Sequence, residues 1–413
     1  MDYPMVGRKR HLLLCDDQIP LHRKRFMDSD AHQDSAMTSG CGTWLHKGCV
    51  NRLKSNHLDA AKRLWELTLF WADTNSSAQK VLECLKTKRD DIFLDNSVNH
   101  KFLSFHKDIM EEYGIEDKQH SWAVIEKQEE IILYGPYYPN YSSGEHSEDI
   151  IIKQTQELLQ EENVPIDWTV YVFTMNSPCL ARNSKPCMLN LVQKAHDWWN
   201  MYAVKTCIGY MRSWGFKGNK ENLFKDINYR QVELITQSAD YDSYIDSVNK
   251  IDGFSPLCVT MFSVAKSVLG SEKLIFPLIT SEEKQHQKSY FKSMNSILES
   301  KQEGEKKVLT NELNAVVEAA DLLLGENRTF DEHLEKGKVF SLTYAFSSEV
   351  CEGLQEEMRS RFQQCWRETV QDRCAEFVRE KLTDEFNQRT VQLFIDDIHT
   401  FTKAYLQIGK LKF

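Results

Sequence analysis

Along this chain the spacing of apolar side chains changes several times, and each change marks a different kind of element. From Val50 to about Glu116 they recur at helical spacing, as in Leu64, Leu67, Leu69 and Phe70 and later Phe102, Phe105, Ile109 and Met110. At Trp122–Ile125 and Ile131–Tyr134 the runs become short and β-prone on either side of the charged segment Glu126–Glu130, the pattern of a hairpin. His146–Gln160 returns to helix, with Ile150, Ile151, Leu158 and Leu159 on its apolar face. Trp168–Phe173 alternates bulky and β-branched residues as a strand does. Pro186 then opens a helix whose face continues through Met188, Leu189, Val192, Ala195 and Trp198. Cys207–Trp214 reads as the next strand and Val232–Thr236 as the last. About 17 residues, including a short helical Glu221–Ile227, separate those two, enough for a parallel crossover and too many for a tight hairpin.

The order hairpin, helix, strand, helix, strand predicts an α/β fold, a five-stranded sheet with helices on its faces. Beyond Gly253 the pattern is helical: Ser281–Leu324 is charged on one face, and Ser347–Leu406 is a long amphipathic stretch carrying Leu354, Met358, Phe362, Trp366, Val370, Phe377, Leu382 and Phe386. Exposed-helix or coiled-coil packing follows for that stretch, although strict heptads are not sustained. Four segments result: a flexible basic and polar tail over 1–40, a helical segment over 41–100, the α/β domain over 101–252 and a helical domain over 253–413.

Composition narrows the function classes. At 413 residues the chain exceeds one ordinary core, and its 41% hydrophobic and 27% charged content belongs to folded, soluble domains. No run approaches the apolar length that crosses a bilayer, and Leu12–Cys15 is too short for a signal-peptide core. The eleven irregularly spaced cysteines then read as thiols and metal ligands of a cytosolic or nuclear protein. Arg8–Arg10 and Arg23–Arg25 have the form of a bipartite nuclear-import signal, or of a merely solvated tail. A net charge of −10 argues against wrapping polyanions through bulk charge.

The residues that carry chemistry lie at the predicted helix starts. Gly144-Glu145-His146-Ser147-Glu148 opens one helix, Ser177-Pro178-Cys179 follows a strand, and Pro186-Cys187 opens the next helix. One imidazole and two thiols are the ligand set of a zinc ion that keeps a fourth position for water and lowers that water's pKa to about 7. Glu148, two residues beyond His146, is then a proton shuttle rather than a ligand, and the helix start at Cys187 favours its thiolate.

This block resembles the zinc-dependent cytidine deaminase superfamily, whose signature is H-x-E followed by P-C-x-x-C. The Ser177-Pro178-Cys179 triplet and the parallel last strand are most similar to the AID/APOBEC and tRNA-adenosine deaminase branches. The resemblance implies a five-stranded cytidine deaminase-like sheet and hydrolytic deamination of cytosine or adenine in a nucleotide or in single-stranded RNA or DNA. It implies zinc on His146, Cys179 and Cys187, with Glu148 as the catalytic acid/base. The sequence departs from the signature at Arg182, where the second cysteine is expected; the next cysteine is Cys187, after seven intervening residues. The riboflavin-pathway deaminases resemble this longer arrangement.

Tyr138, Tyr210 and Trp214, with Tyr137 and Tyr141, are aromatics of the kind that stack a base, and Asn140 is a hydrogen-bonding candidate for sugar or base; each is also an ordinary sheet or loop residue. Cys41, His46 and Cys49, with His57, match no familiar zinc module and read as ordinary thiols and histidines, or together as holders of a structural ion. Beside the enzyme reading stands a deaminase-like module without chemistry, acting as a binding or scaffold protein through its helical C-terminal region, which is also the expected surface for a protein partner or self-association.

Overall fold

A computed structural model describes residues 9–13, 61–85, 90–114, 118–127, 130–160, 168–217, 223–271, 274–279, 292–299 and 301–412. The expected tail outside 9–13, and the group Cys41, His46, Cys49 and His57, lie outside the described residues. The chain divides into two compact units, one drawn from residues 1–81, 89–220 and 387–413, the other from 82–88 and 221–386. The division therefore falls at 220 and 386 rather than at the 252 boundary expected above.

The first unit begins with strand β1 (Lys9–Leu13) and helices α1 (61–72), α2 (Thr74–Cys84) and α3 (Asn96–Tyr113). The hairpin β2 (Ser121–Glu126) and β3 (Glu130–Tyr137), helix α4 (Ser147–Gln160), strand β4 (Thr169–Asn176), helix α5 (Cys187–Tyr202) and strand β5 (Lys205–Arg212) follow. The second unit holds α6 (Tyr229–Gln237), α7 (Tyr241–Val248), α8 (Val259–Ser271) and the short strands β6 (Ile275–Phe276) and β7 (Arg328–Thr329) on either side of α9 (Glu303–Leu324). Next come α10 (Phe330–Thr343) and the 51-residue α11 (Glu352–Thr402), whose residues from 387 onward belong to the first unit, as does β8 (Leu406–Lys410) in its sheet.

The α/β architecture expected from the pattern is present. Strands run in the order β1-β3-β2-β4-β5-β8, with β2 antiparallel to β3 and β4, and β4, β5 and β8 mutually parallel. The five strands from β3 to β8 make the mixed sheet, and β1 extends its edge beside β3. Alternation along β2 explains the layering: Trp122 and Val124 join Phe102, Phe105 and Ile109 of α3 in one buried cluster, whereas α4 packs on β2 and β3, and α5 on β5 and β8. Burial on both faces is why β2 and β4 are apolar almost throughout. Gly209 of β5 lies under the Phe102 ring, where an added Cβ would come within 3.1 Å of it.

The last strand differs from the expectation. Val232–Thr236 lies inside helix α6, not in the sheet. Its β-branched residues suit a strand, but Asn228 and Gln231 form a reciprocal capping box that starts a helix instead. The segment expected as a short helix, 221–227, is turn over 223–226. The parallel partner of β5 is β8, in register Ile208↔Ile408, delivered from the far end of the chain.

In the second unit the apolar stripe of α11, Met358, Phe362, Trp366, Val370 and Cys374, packs with Leu309, Leu313, Val316 and Ala320 of α9 in one buried cluster. That is globular packing rather than the coiled-coil seam allowed for above. Gly337 of α10 admits the Trp366 ring, which an added Cβ would meet at 2.2 Å. Among the described residues no helix is long and apolar enough to cross a membrane.

Candidate active site

Three local structures deliver the polar side chains to one place. Before α4, the Asn140–Glu145 turn is closed by the Asn140 N–H on the Glu145 carbonyl at 2.8 Å, with Gly144 at φ 70°. His146 follows, and its N–H donates to Asp149 Oδ2 at 3.0 Å, so Asp149 caps the helix that presents Glu148 in its first turn. After β4, the segment 177–180 is laced to the end of β5: the Ser177 N–H donates to the Arg212 carbonyl at 2.6 Å, the Leu180 N–H to the Gly215 carbonyl at 2.9 Å and the Trp214 N–H to Ser177 Oγ at 2.9 Å. Cys187 is the first residue of α5, with Pro186 at the N-cap.

These supports bring Nδ1 of His146 and the sulfurs of Cys179 and Cys187 within 4.8 Å of one another. The imidazole nitrogen is 3.8 Å from Cys179 Sγ and 3.3 Å from Cys187 Sγ, and the Cys187 N–H donates to Cys179 Sγ at 3.4 Å. His146 is half-buried, whereas Cys179, Cys187 and Glu148 are buried. Among the described residues this His/Cys/Cys set is the group that could hold a metal ion.

Burial divides the protonation states. Removal from water pushes the Glu148 carboxyl up to about 7, against a 3.3 Å hydrogen bond from Ser147 Oγ. The two thiols act as a pair. A hydrogen bond from Cys187 holds Cys179 down, aided by His146, and the same bond together with burial pushes Cys187 up, so the charged form is favoured at Cys179 and not, as its helix start suggests, at Cys187. His146 is raised, chiefly by its hydrogen bond to Cys179. Two thiols, one imidazole and one carboxyl with divergent proton affinities thus share one place, the kind of arrangement that concentrates at chemical sites.

Sequence reasoning missed the residues that hold this group together. Arg182 occupies the place of the signature's second cysteine, and its guanidinium makes a two-pronged pair with Asp149 at 2.8 and 3.0 Å. Burial alone would raise Asp149, but the bonds from Arg182 and the His146 N–H, with their charges, together outweigh it and hold the carboxyl below its ordinary range. Ser121 and Ser147 share a buried hydroxyl–hydroxyl bond at 2.7 Å under Glu148. Only the Asp149 cap, with an acidic residue three positions into a helix, had a sequence signal.

The base-contact candidates fare unevenly. Tyr210 is 1% exposed, within the buried middle of β5, so it cannot stack a base, which corrects that expectation. Asn140 spends its side-chain oxygen inside its own turn, accepting from the Ser142 N–H and Oγ–H and from the Ser143 N–H. Tyr137 is buried, whereas Tyr138 and Tyr141 are exposed. Trp214 is half-buried at the segment bonded to Ser177, with Lys217 Nζ 5.8 Å from its ring centre.

The model of the family described as Secreted Novel AID/APOBEC-like Deaminase 3 covers residues 33–408. No curated protein and no solved structure matches. The family's description as secreted overturns the cytosolic or nuclear compartment expected above. That expectation rested on the lack of an export-like run and on cysteine spacing, neither of which is a positive address.

Proposed function

The chain belongs to this AID/APOBEC-like deaminase family, and from that premise we propose that it is a zinc-dependent hydrolytic deaminase of a nucleobase, cytosine before adenine, in a nucleotide or in single-stranded RNA or DNA. The observation that carries the reading is the convergence of His146, Cys179 and Cys187 within 4.8 Å beside the buried Glu148. The donor set fits zinc. Metal–sulfur and metal–nitrogen bonds of about 2.3 and 2.0 Å place tetrahedral sulfur and nitrogen ligands about 3.5 Å apart, and the two sulfurs lie 3.8 and 3.3 Å from the imidazole nitrogen.

His146, Cys179 and Cys187 would hold the ion. When bound, zinc supplies a Lewis acid that brings water to a pKa near neutrality, about 7. The reaction consumes one water, converts the exocyclic C–NH2 bond to C=O and releases ammonia. Glu148 has the protonation behaviour for moving the protons this requires, onto the ring nitrogen and then the leaving amine, because its burial raises its carboxyl to about 7. The Ser121–Ser147 hydroxyl pair and the Asp149 cap hold the start of α4 and so the orientation of Glu148.

Glu148→Gln keeps the shape and removes the proton carrier. Its ammonia release and sequence-detected deamination, on a panel of cytidine, deoxycytidylate, single-stranded RNA and single-stranded DNA, should fall by about 10²–10⁴-fold with metal content retained. Undiminished turnover would overturn the reading. One observation favours a second reading, a deaminase fold without chemistry that acts by binding or self-association: the helical unit has a buried core of its own. Metal retained without turnover on any of the panel would select it.

A further inference from the structure

The lengthened segment between the two cysteines raises a physical problem. Seven residues intervene, and every residue added to a loop widens the range of separations its ends can take. Something has to hold Cys187 against Cys179 and His146.

Arg182 lies inside that segment, and all of its visible bonds point at the problem. Nη1 and Nη2 donate to Asp149 Oδ2 and Oδ1 at 2.8 and 3.0 Å. Nε donates at 2.6 Å to the carbonyl of Lys185, directly before Pro186-Cys187. Nη1 also approaches Cys187 Sγ at 3.4 Å. Asp149 Oδ2, on its other side, accepts the His146 N–H. One guanidinium therefore ties the backbone of His146, through Asp149, to the chain entering Cys187 and to the Cys187 sulfur itself. The Arg182 and Asp149 side chains are only 13% and 22% exposed, so water competes weakly for these bonds.

We infer that Arg182 and Asp149 form a clamp that positions His146 and Cys187 for the metal across the lengthened cysteine segment, and that Arg182 also tunes the Cys187 sulfur by donating a hydrogen bond to it. The inference rests on the metal-site reading above. The residue type follows from the geometry: a planar fork with donors on three nitrogens satisfies a carboxylate in bidentate fashion and still reaches a carbonyl, whereas a lysine ammonium brings the charge without the fork. The departure from the family signature at position 182 is thus a substitution of function, with a ligand's place taken by the residue that steadies the displaced ligand. Outer groups that orient metal ligands change affinity by about 10–100-fold when removed.

The test uses the full chain and two readouts other than turnover. Zinc affinity is measured by competition with a chromophoric chelator for wild type, Arg182→Lys, Arg182→Ala, Asp149→Asn and the Arg182→Ala/Asp149→Asn double variant. Each single variant should bind zinc about 10–100-fold more weakly. The double variant should lose little more than a single one, because both break the same link. The second readout is the thiolate-to-metal charge-transfer band of the cobalt-substituted protein. Loss of the N–H donor raises the energy of the sulfur electrons, so the band should move to longer wavelength in Arg182→Ala, and less in Arg182→Lys, which keeps an N–H donor without the fork. Circular dichroism of the metal-free variants checks folding, and Arg182→Lys and Asp149→Asn keep the test open where Arg182→Ala fails to fold. Unchanged zinc affinity and an unmoved cobalt band in folded variants would overturn the clamp while leaving the metal site standing. A folded wild type that takes up neither ion would overturn the metal site itself and the clamp with it.

Discussion

The two units bury polar groups to different ends. In the first, a carboxyl, an imidazole and two thiols sit together, and burial and mutual hydrogen bonding drive their proton affinities apart. In the second, two buried rings are tied to backbone carbonyls. His333 is fully buried and donates from Nε2 to the Phe276 carbonyl at 2.7 Å, while Trp366 Nε1–H donates to the His333 carbonyl at 2.7 Å. The contrast separates polarity that fastens a core from polarity of the kind that gathers at chemical sites, and the candidate site belongs to the first unit.

The strongest attempt to break that contrast is Trp366→Ala. Trp366 is 2% exposed and its ring lies against Gly337, so the cavity should cost about 3–5 kcal/mol by denaturant unfolding. Zinc uptake by the folded fraction should not change; a loss of uptake there would mean that the second unit shapes the site. Next comes metal linkage. Zinc at a hundred times its dissociation constant should stabilise the chain by about 2.7 kcal/mol, and Cys187→Ser should erase that increment. Hydrogen exchange should place the added protection on amides around 146–149 and 177–188; protection gained in the second unit instead would reverse the assignment.

Smaller still is Asn228→Ala, which removes the cap of α6 and should cost about 1 kcal/mol. A negligible loss would undercut the explanation for why that segment is helical. The smallest effect is one of pH. Burial holds the His333 pKa below its ordinary 6.5. The unfolded chain therefore binds the extra proton first, and stability falls as pH drops through 6.5, levelling off once the folded-state value is passed. His333→Gln should flatten that limb of the stability profile, and a limb unaltered in the variant would assign it to another group.

What could be read in advance followed the range of the interactions. The hairpin, β4 and helices α4 and α5 are legible because each is specified by its own apolar spacing, and His146, Glu148, Cys179 and Cys187 stand out because their types and order suit a known chemistry. The final strand was hidden. Leu406–Lys410 pairs with Lys205–Arg212 across residues 213–405, and no local pattern announces a partner so distant. The Val232–Thr236 segment shows the complementary error, with β-branched side chains outweighed by a two-residue cap. Tyr210 has the type for stacking a base, but its near-complete burial is set by neighbours from other elements. Arg182 looked like a broken signature because its meaning lies in Asp149, Lys185 and Cys187, which only folding brings to it.

On the proposal made here, His146, Cys179 and Cys187 share one metal ion. Elemental analysis of the purified chain tests it most directly: about one zinc per chain is expected for wild type and for Glu148→Gln, and far less for His146→Ala or Cys187→Ser. Wild-type protein that is folded yet metal-free after incubation with zinc, or equal zinc in the ligand variants, would contradict it.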